Sequence, residues 1–130
     1  MIKNAVLLTF TLLSLFAAVA TTQASEEHVR HIVVFQYEDS ATDNQIEQVT
    51  EAFRSLEDEV PGIVAFEDGV NNSPEGLNKG FTHVYMVTFE DANARDEYLP
   101  HPKHKKFVEL MEELDILEDV FVIDYSIKAH

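Results

Sequence analysis

The 130-residue chain contains no cysteine, only nine lysines and arginines against 24 aspartates and glutamates, and only four glycines. Each shortage removes a class of function. Without a thiol there is no covalent cysteine chemistry, no lipid-modified N-terminal cysteine and no disulfide, so stability has to come from the core or from association with another chain. The excess of acid gives a formal net charge of −15, which works against nucleic acid and anionic membrane as partners, because both carry dense negative charge of their own. It favours solubility. The glycines form no phosphate-cradling loop or dinucleotide fingerprint, and no serine stands in an elbow motif.

Long uncharged runs are scarce as well, with one exception at the N-terminus. Lys3 supplies a short positive start, residues 5–20 are uncharged and mostly apolar, and small residues follow. That is the pattern of an export signal. Two cleavage points fit, after Ala20 in Ala18-Val19-Ala20 and after Ala24 in Thr22-Gln23-Ala24. The second is preferred because it leaves the polar start Ser25-Glu26-Glu27. A retained membrane anchor is the alternative, but a spanning helix usually needs about 20 apolar residues. The expectation is therefore a signal peptide over residues 1–24 and one domain over residues 25–130, exported to a periplasm or secreted, with no membrane contact after cleavage. Cleavage removes Lys3 alone, leaving 8 basic against 24 acidic residues. A domain of this size can bury a core by itself, covering roughly two-thirds of its unfolded surface.

Within the domain, residues 29–37 alternate, with Val29, His31, Val33, Phe35 and Tyr37 on one face and Ile32 and Val34 on the other. Thr42 and Gln45 form a capping-box pattern, after which Ile46, Val49, Phe53 and Leu56 repeat at helical spacing up to Pro61-Gly62. Residues 63–70 read as a second strand, residues 71–80 as a turn-rich loop and residues 81–89 as a third strand. Asp91 caps a short helix to about Leu99. Pro100 and Pro102 interrupt it, and Pro102 suits the first turn of a further helical piece whose buried stripe is Phe107, Leu110, Met111 and Leu114. Residues 120–127 read as the last strand.

This order predicts an α+β, ferredoxin-like βαββαβ fold: one four-stranded antiparallel sheet with two helices on one face. The first and third strands are apolar on both sides, so the second sheet face needs cover. A homodimer pairing sheet to sheet is the simplest supply.

The residues with chemistry are clustered. Reading the first and third strands as parallel central neighbours places His31 and His83 at the same end of one face, within reach of a shared hydrogen bond or ligand. Either they fix strand register in the core or they face a pocket. Tyr98, His101 and His104 flank the double-proline break, where a helix N-terminus and Lys103, Lys105 and Lys106 favour neutral imidazole. A neutral imidazole suits a general base. Asp124, inside an apolar run, needs a partner if buried, and the expectation is that it orients His104 while Tyr98 donates to a substrate oxygen. Val33, Phe35, Val49, Phe53, Tyr85, Phe107 and Val122 are the candidate apolar lining, or simply core. His101 and His104 have Glu109 and Glu112 in the same helix, but a turn or more away, so no metal site is expected.

Arg30-His31-Ile32-Val33-Val34-Phe35, Phe81-Thr82-His83-Val84, Tyr98-Leu99-Pro100-His101-Pro102-Lys103-His104 and Ile123-Asp124-Tyr125, in this order, resemble the Dabb family, the stress-responsive α/β-barrel domain. The resemblance spans residues 31–127. It implies a dimeric α+β barrel with a cavity between sheet and helices, and members with a cyclase activity keep histidines at the positions of His31 and His83. In the plant polyketide cyclase branch, the position of His104 is the acid/base histidine, that of Tyr98 the pocket tyrosine and that of Asp124 the strand aspartate. Phe53 departs from that branch, which has a tyrosine there, and this speaks against the same substrate and cyclisation. The functional expectation is an exported domain that binds a small apolar or carbonyl compound, with cyclase- or isomerase-like proton transfer at His104 assisted by Tyr98, Asp124, His31 and His83, and no cofactor. The alternatives are a non-catalytic, stress-associated structural protein and an accessory domain that binds a protein partner.

Overall fold

The computed structural model describes residues 27–128 and 130. The expected signal segment lies outside the described residues. Seven elements follow in order: β1 (Val29–Tyr37), α1 (Asp43–Glu59), β2 (Ile63–Val70), β3 (His83–Phe89), α2 (Ala92–Tyr98), α3 (Pro102–Leu114) and β4 (Leu117–Ser126). Local chemistry accounts for most of the boundaries. Thr42 and Gln45 complete the capping box of α1, with the Thr42 hydroxyl accepting from the Gln45 N–H and the Gln45 side chain accepting from the Thr42 N–H. The double-proline segment splits the second helical layer into α2 and α3, with His101 as the N-cap of α3 and Pro102 in its first turn. β3 begins at His83, two residues later than the pattern suggests, because the Phe81 N–H closes a turn onto Asn78 O. β4 starts earlier than expected, at Leu117 opposite Tyr37.

The strands pair in the order β2-β3-β1-β4, and every pairing is antiparallel. The parallel reading of β1 and β3 is therefore wrong. β1 and β2 are joined through a crossover helix and run the same way, and β3, which turns back from β2 and inserts between them, must oppose both. His31 lies opposite Val87, and His83 lies opposite Phe35. The two histidines share a face but stand four residues apart along β1, about 14 Å at roughly 3.4 Å per residue. They cannot share a ligand atom.

The odd-numbered side chains of β1 and β3 pack under the helices, where Val33, Phe35, Tyr85, Val87 and Phe89 join Val49, Phe53, Tyr98 and Phe107. Tyr85 is satisfied inside this core, with its hydroxyl 2.9 Å from Tyr37 Oη and 2.9 Å from Thr50 Oγ1. Burial pushes both phenols up, so both remain protonated. The His83 ring stands edge-on to Tyr37, with centroids 4.9 Å apart, and its Nδ1 is 2.9 Å from Thr82 Oγ1. The opposite sheet face carries Ile32, Val34, Val84, Met86, Phe121, Ile123 and Tyr125. Among the described residues no helix covers it, and Ile123 is 53% exposed there.

Candidate active site

A cavity of about 580 Å³ lies between the β1/β4 side of the sheet and the α2–α3 layer. Its walls are apolar: Val33 and Phe35 from β1, Phe53 from α1, Phe107, Val108 and Met111 from α3, and Leu117, Val120 and Val122 from β4. The polar groups converge at one end, where His31, Tyr98, His104 and Asp124 meet. Few polar atoms in an apolar hollow is the composition expected of a small-molecule site. The groove between α1 and α3, about 340 Å³, differs in being walled by Glu59, Lys103, Lys106 and Glu113.

His104 sits in the first turn of α3. Pro100 and Pro102 offer no N–H, and the Lys103 N–H turns to His101 Nδ1 at 3.1 Å, so the Leu99 carbonyl is left for a side chain. His104 Nδ1 takes it at 2.9 Å. A carbonyl only accepts, so Nδ1 carries the proton and Nε2 bears the lone pair. Burial lowers the His104 pKa below the ordinary imidazole value, and the neighbouring His31 and His101 add to that, although the Leu99 bond opposes it. The Tyr98 ring packs on His104, with centroids 4.3 Å apart. Burial pushes the Tyr98 phenol up, so it stays a donor.

Asp124 does not orient His104, contrary to expectation. The antiparallel register of β1 and β4 sets it directly opposite His31, and its Oδ1 lies 2.8 Å from His31 Nδ1. The carboxylate accepts, which places a proton on His31 Nδ1, so that the neutral ring carries its lone pair on Nε2. Asp124 Oδ2 accepts from Arg95 Nη1 at 2.6 Å. The two histidines thus have separate orienting partners, a backbone carbonyl for His104 and a carboxylate for His31.

Of the candidate residues, the structure brings together His31, Tyr98, His104, Asp124, Val33, Phe35, Phe53, Phe107 and Val122 around this cavity. His83, Val49 and Tyr85 do not line it; Val49 is fully buried between α1 and the sheet, and Tyr85 is held in the Tyr37–Thr50 network. Leu99, Val108, Met111, Leu117 and Val120 line it without having been singled out as lining. For Leu117 and Val120 the antiparallel register would have served as a signal, since they oppose Tyr37 and Phe35. Among the described residues, no group of three or more His, Asp or Glu side chains is arranged to hold a metal ion.

The family model of the stress responsive A/B barrel domain, Dabb, matches residues 29–127. The chain is a member of the Dabb family. The stress-response A/B barrel domain-containing protein HS1 of Arabidopsis thaliana is 33% identical over 98 residues, which cover 75% of this chain and 88% of that protein. Olivetolic acid cyclase of Cannabis sativa is 26% identical over 98 residues, covering 75% and 95%. The solved structure of hydroxynitrile lyase from Passiflora edulis superimposes with a TM-score of 0.72 at 27% identity, covering 80% of this chain and 96% of that one. This Dabb chain shares its fold with the hydroxynitrile lyase.

Proposed function

We propose that this Dabb domain binds a small, mostly apolar carbonyl compound in the β4–α3 cavity and transfers a proton at His104 Nε2. The observation that carries this reading is the state of the two imidazoles. Each has its Nδ1 committed to a fixed acceptor, so each offers a basic Nε2 at the polar end of an apolar hollow, beside a phenol that stays protonated. In this reading His104 is the base, Tyr98 donates to the carbonyl oxygen and polarises it, and His31 Nε2 accepts from a hydroxyl or other donor of the ligand. Two relatives named as small-molecule enzymes, a cyclase and a lyase, support it.

The test is exchange of hydrogen for deuterium at the carbon next to a carbonyl, followed by NMR in deuterated buffer over a panel of medium-chain aldehydes, ketones and aryl ketones. Exchange above the buffer rate is expected for some members, and His104→Ala should slow it by about 10²–10⁴-fold while the protein stays folded. A folded His104→Ala protein that exchanges as fast as the parent rules the reading out.

The proposal extends to assembly and address. A homodimer closes the bare sheet face, whose apolar side chains no helix among the described residues covers. Export rests on the N-terminal pattern around Lys3 and Ala24, and N-terminal sequencing of the protein isolated from its cells checks it. A mature start at Ser25 is expected, whereas an N-terminus at or next to Met1 defeats it.

A further inference from the structure

Arg95 belongs to α2 and does not line the cavity, yet it stands behind the ring proton of both imidazoles. Through its side chain it reaches β4: Nη1 donates to Asp124 Oδ2 at 2.6 Å and Nε donates to Asp96 Oδ1 at 2.7 Å. With one oxygen of Asp124 fixed on the guanidinium, the other is aimed at His31 Nδ1, 2.8 Å away. Through its backbone it reaches the other histidine. The Arg95 carbonyl accepts from the Leu99 N–H at 3.3 Å, and the Leu99 carbonyl accepts from His104 Nδ1 at 2.9 Å. Substituting the side chain breaks only the first of these routes.

We propose that Arg95 is a positioning residue: on the reading of the cavity as a proton-transfer site, it clamps Asp124 so that His31 is held in the Nδ1–H form with Nε2 toward the ligand. The geometry explains why the residue is an arginine. A guanidinium presents donors in a rigid fork, so one side chain spans two carboxylates at once, whereas a lysine ammonium is a point charge. Without the clamp, the Asp124 carboxylate is free to rotate about its own side chain. His31, which is buried against the Phe89 and Tyr98 rings, then loses the acceptor that selects its tautomer.

The experiment uses full-length protein with ¹⁵N-labelled histidine, and long-range ¹H–¹⁵N spectra recorded above neutral pH with no ligand present. In the parent, His31 and His104 should both show the single Nδ1–H pattern. In Arg95→Gln, His31 should lose its single-tautomer pattern, while His104, held through the backbone, keeps its own and serves as an internal control. Arg95→Lys, which keeps the charge toward Asp124 but not the fork, should recover the His31 pattern only in part. An unchanged His31 pattern in folded Arg95→Gln, or a parent His31 already in the Nε2–H form, overturns the proposal. If Arg95→Gln does not fold, Arg95→Lys decides alone: because an ammonium cannot span both carboxylates, a mixed His31 pattern supports the clamp and an unchanged one defeats it. The readout needs no turnover, so its failure is separable from failure of the proton-transfer reading, which the exchange assay alone decides.

Discussion

An imidazole serves as a base at a defined place only when one nitrogen is already committed, and the two cavity histidines meet that condition differently. His104 relies on a carbonyl that a proline-broken helix end leaves over, and burial keeps its pKa below the usual value of about 6.5. It is therefore unprotonated across neutral pH, and the exchange rate should be flat above neutrality and fall on the acid side, below the ordinary imidazole range. Tyr98→Phe removes the donor while leaving the ring packed on His104, so it should cost about 10²–10³ in rate with little change in Tm. Burial also lowers His83. For both histidines the folded state takes up a proton less readily than the unfolded chain, so their contribution to stability is complete above about pH 6.5 and is lost as the pH falls. Thermal unfolding should therefore move to lower temperature from pH 7.5 to pH 5, and His83→Gln should shrink that drop; an equal drop in the variant would remove His83 as a cause. Tyr98 and His104 were legible as a pair because the prolines advertise the break between them. The partner of Asp124 was not legible, since it depends on which residue of β1 faces it across a strand pair 93 residues apart in sequence.

Elements were easier to read than their mutual placement. The alternation of β1 marks Val29–Tyr37, and Thr42 with Gln45 marks the start of α1, because both signals are local chemistry. The direction of β3 is not local. It follows from inserting a strand between two that run the same way, and misjudging it brought His83 wrongly beside His31. Arg95 escaped for a similar reason, since its role comes from a side chain that reaches from α2 to Asp124 on β4, a contact with no periodic signature. How tightly α2 is seated can be tested at Gly62, which opens β2 with φ of 88°. A Cβ at that position would lie 2.6 Å from Ala94 Cβ on α2. Gly62→Ala thus combines left-handed backbone strain with a side-chain clash that only a shift of α2 relieves, and should cost about 1–3 kcal/mol in denaturant unfolding. Because α2 also carries Tyr98 and Arg95, the variant should slow proton exchange as well. A change under about 0.5 kcal/mol would show that α2 moves freely against β2.

At the scale of the whole molecule, the sheet is asked to be a core on both sides while the helices cover only one. Phe121, Ile123 and Tyr125 alternate on β4 with the cavity residues Val120, Val122 and Asp124, so a single strand serves the site with one face and the bare surface with the other. Pairing two such faces hides apolar area that the described residues of the single chain leave exposed. The pairing must also overcome repulsion between two acidic protomers, which makes it stronger as salt rises. Ile123→Glu sets one more like charge on each side of that contact, at a side chain 53% exposed in the single chain, so the fold should survive while the dimer does not. Sedimentation should show the parent at twice the chain mass and the variant at one, with unchanged far-UV circular dichroism. A variant that remains dimeric would move the contact to another surface. The polar end of the cavity draws His31, Tyr98, His104 and Asp124 from one chain, so the monomeric variant should still catalyse exchange. If exchange disappears with the dimer in a folded Ile123→Glu protein, a partner subunit completes the site, and the unit of function is the pair.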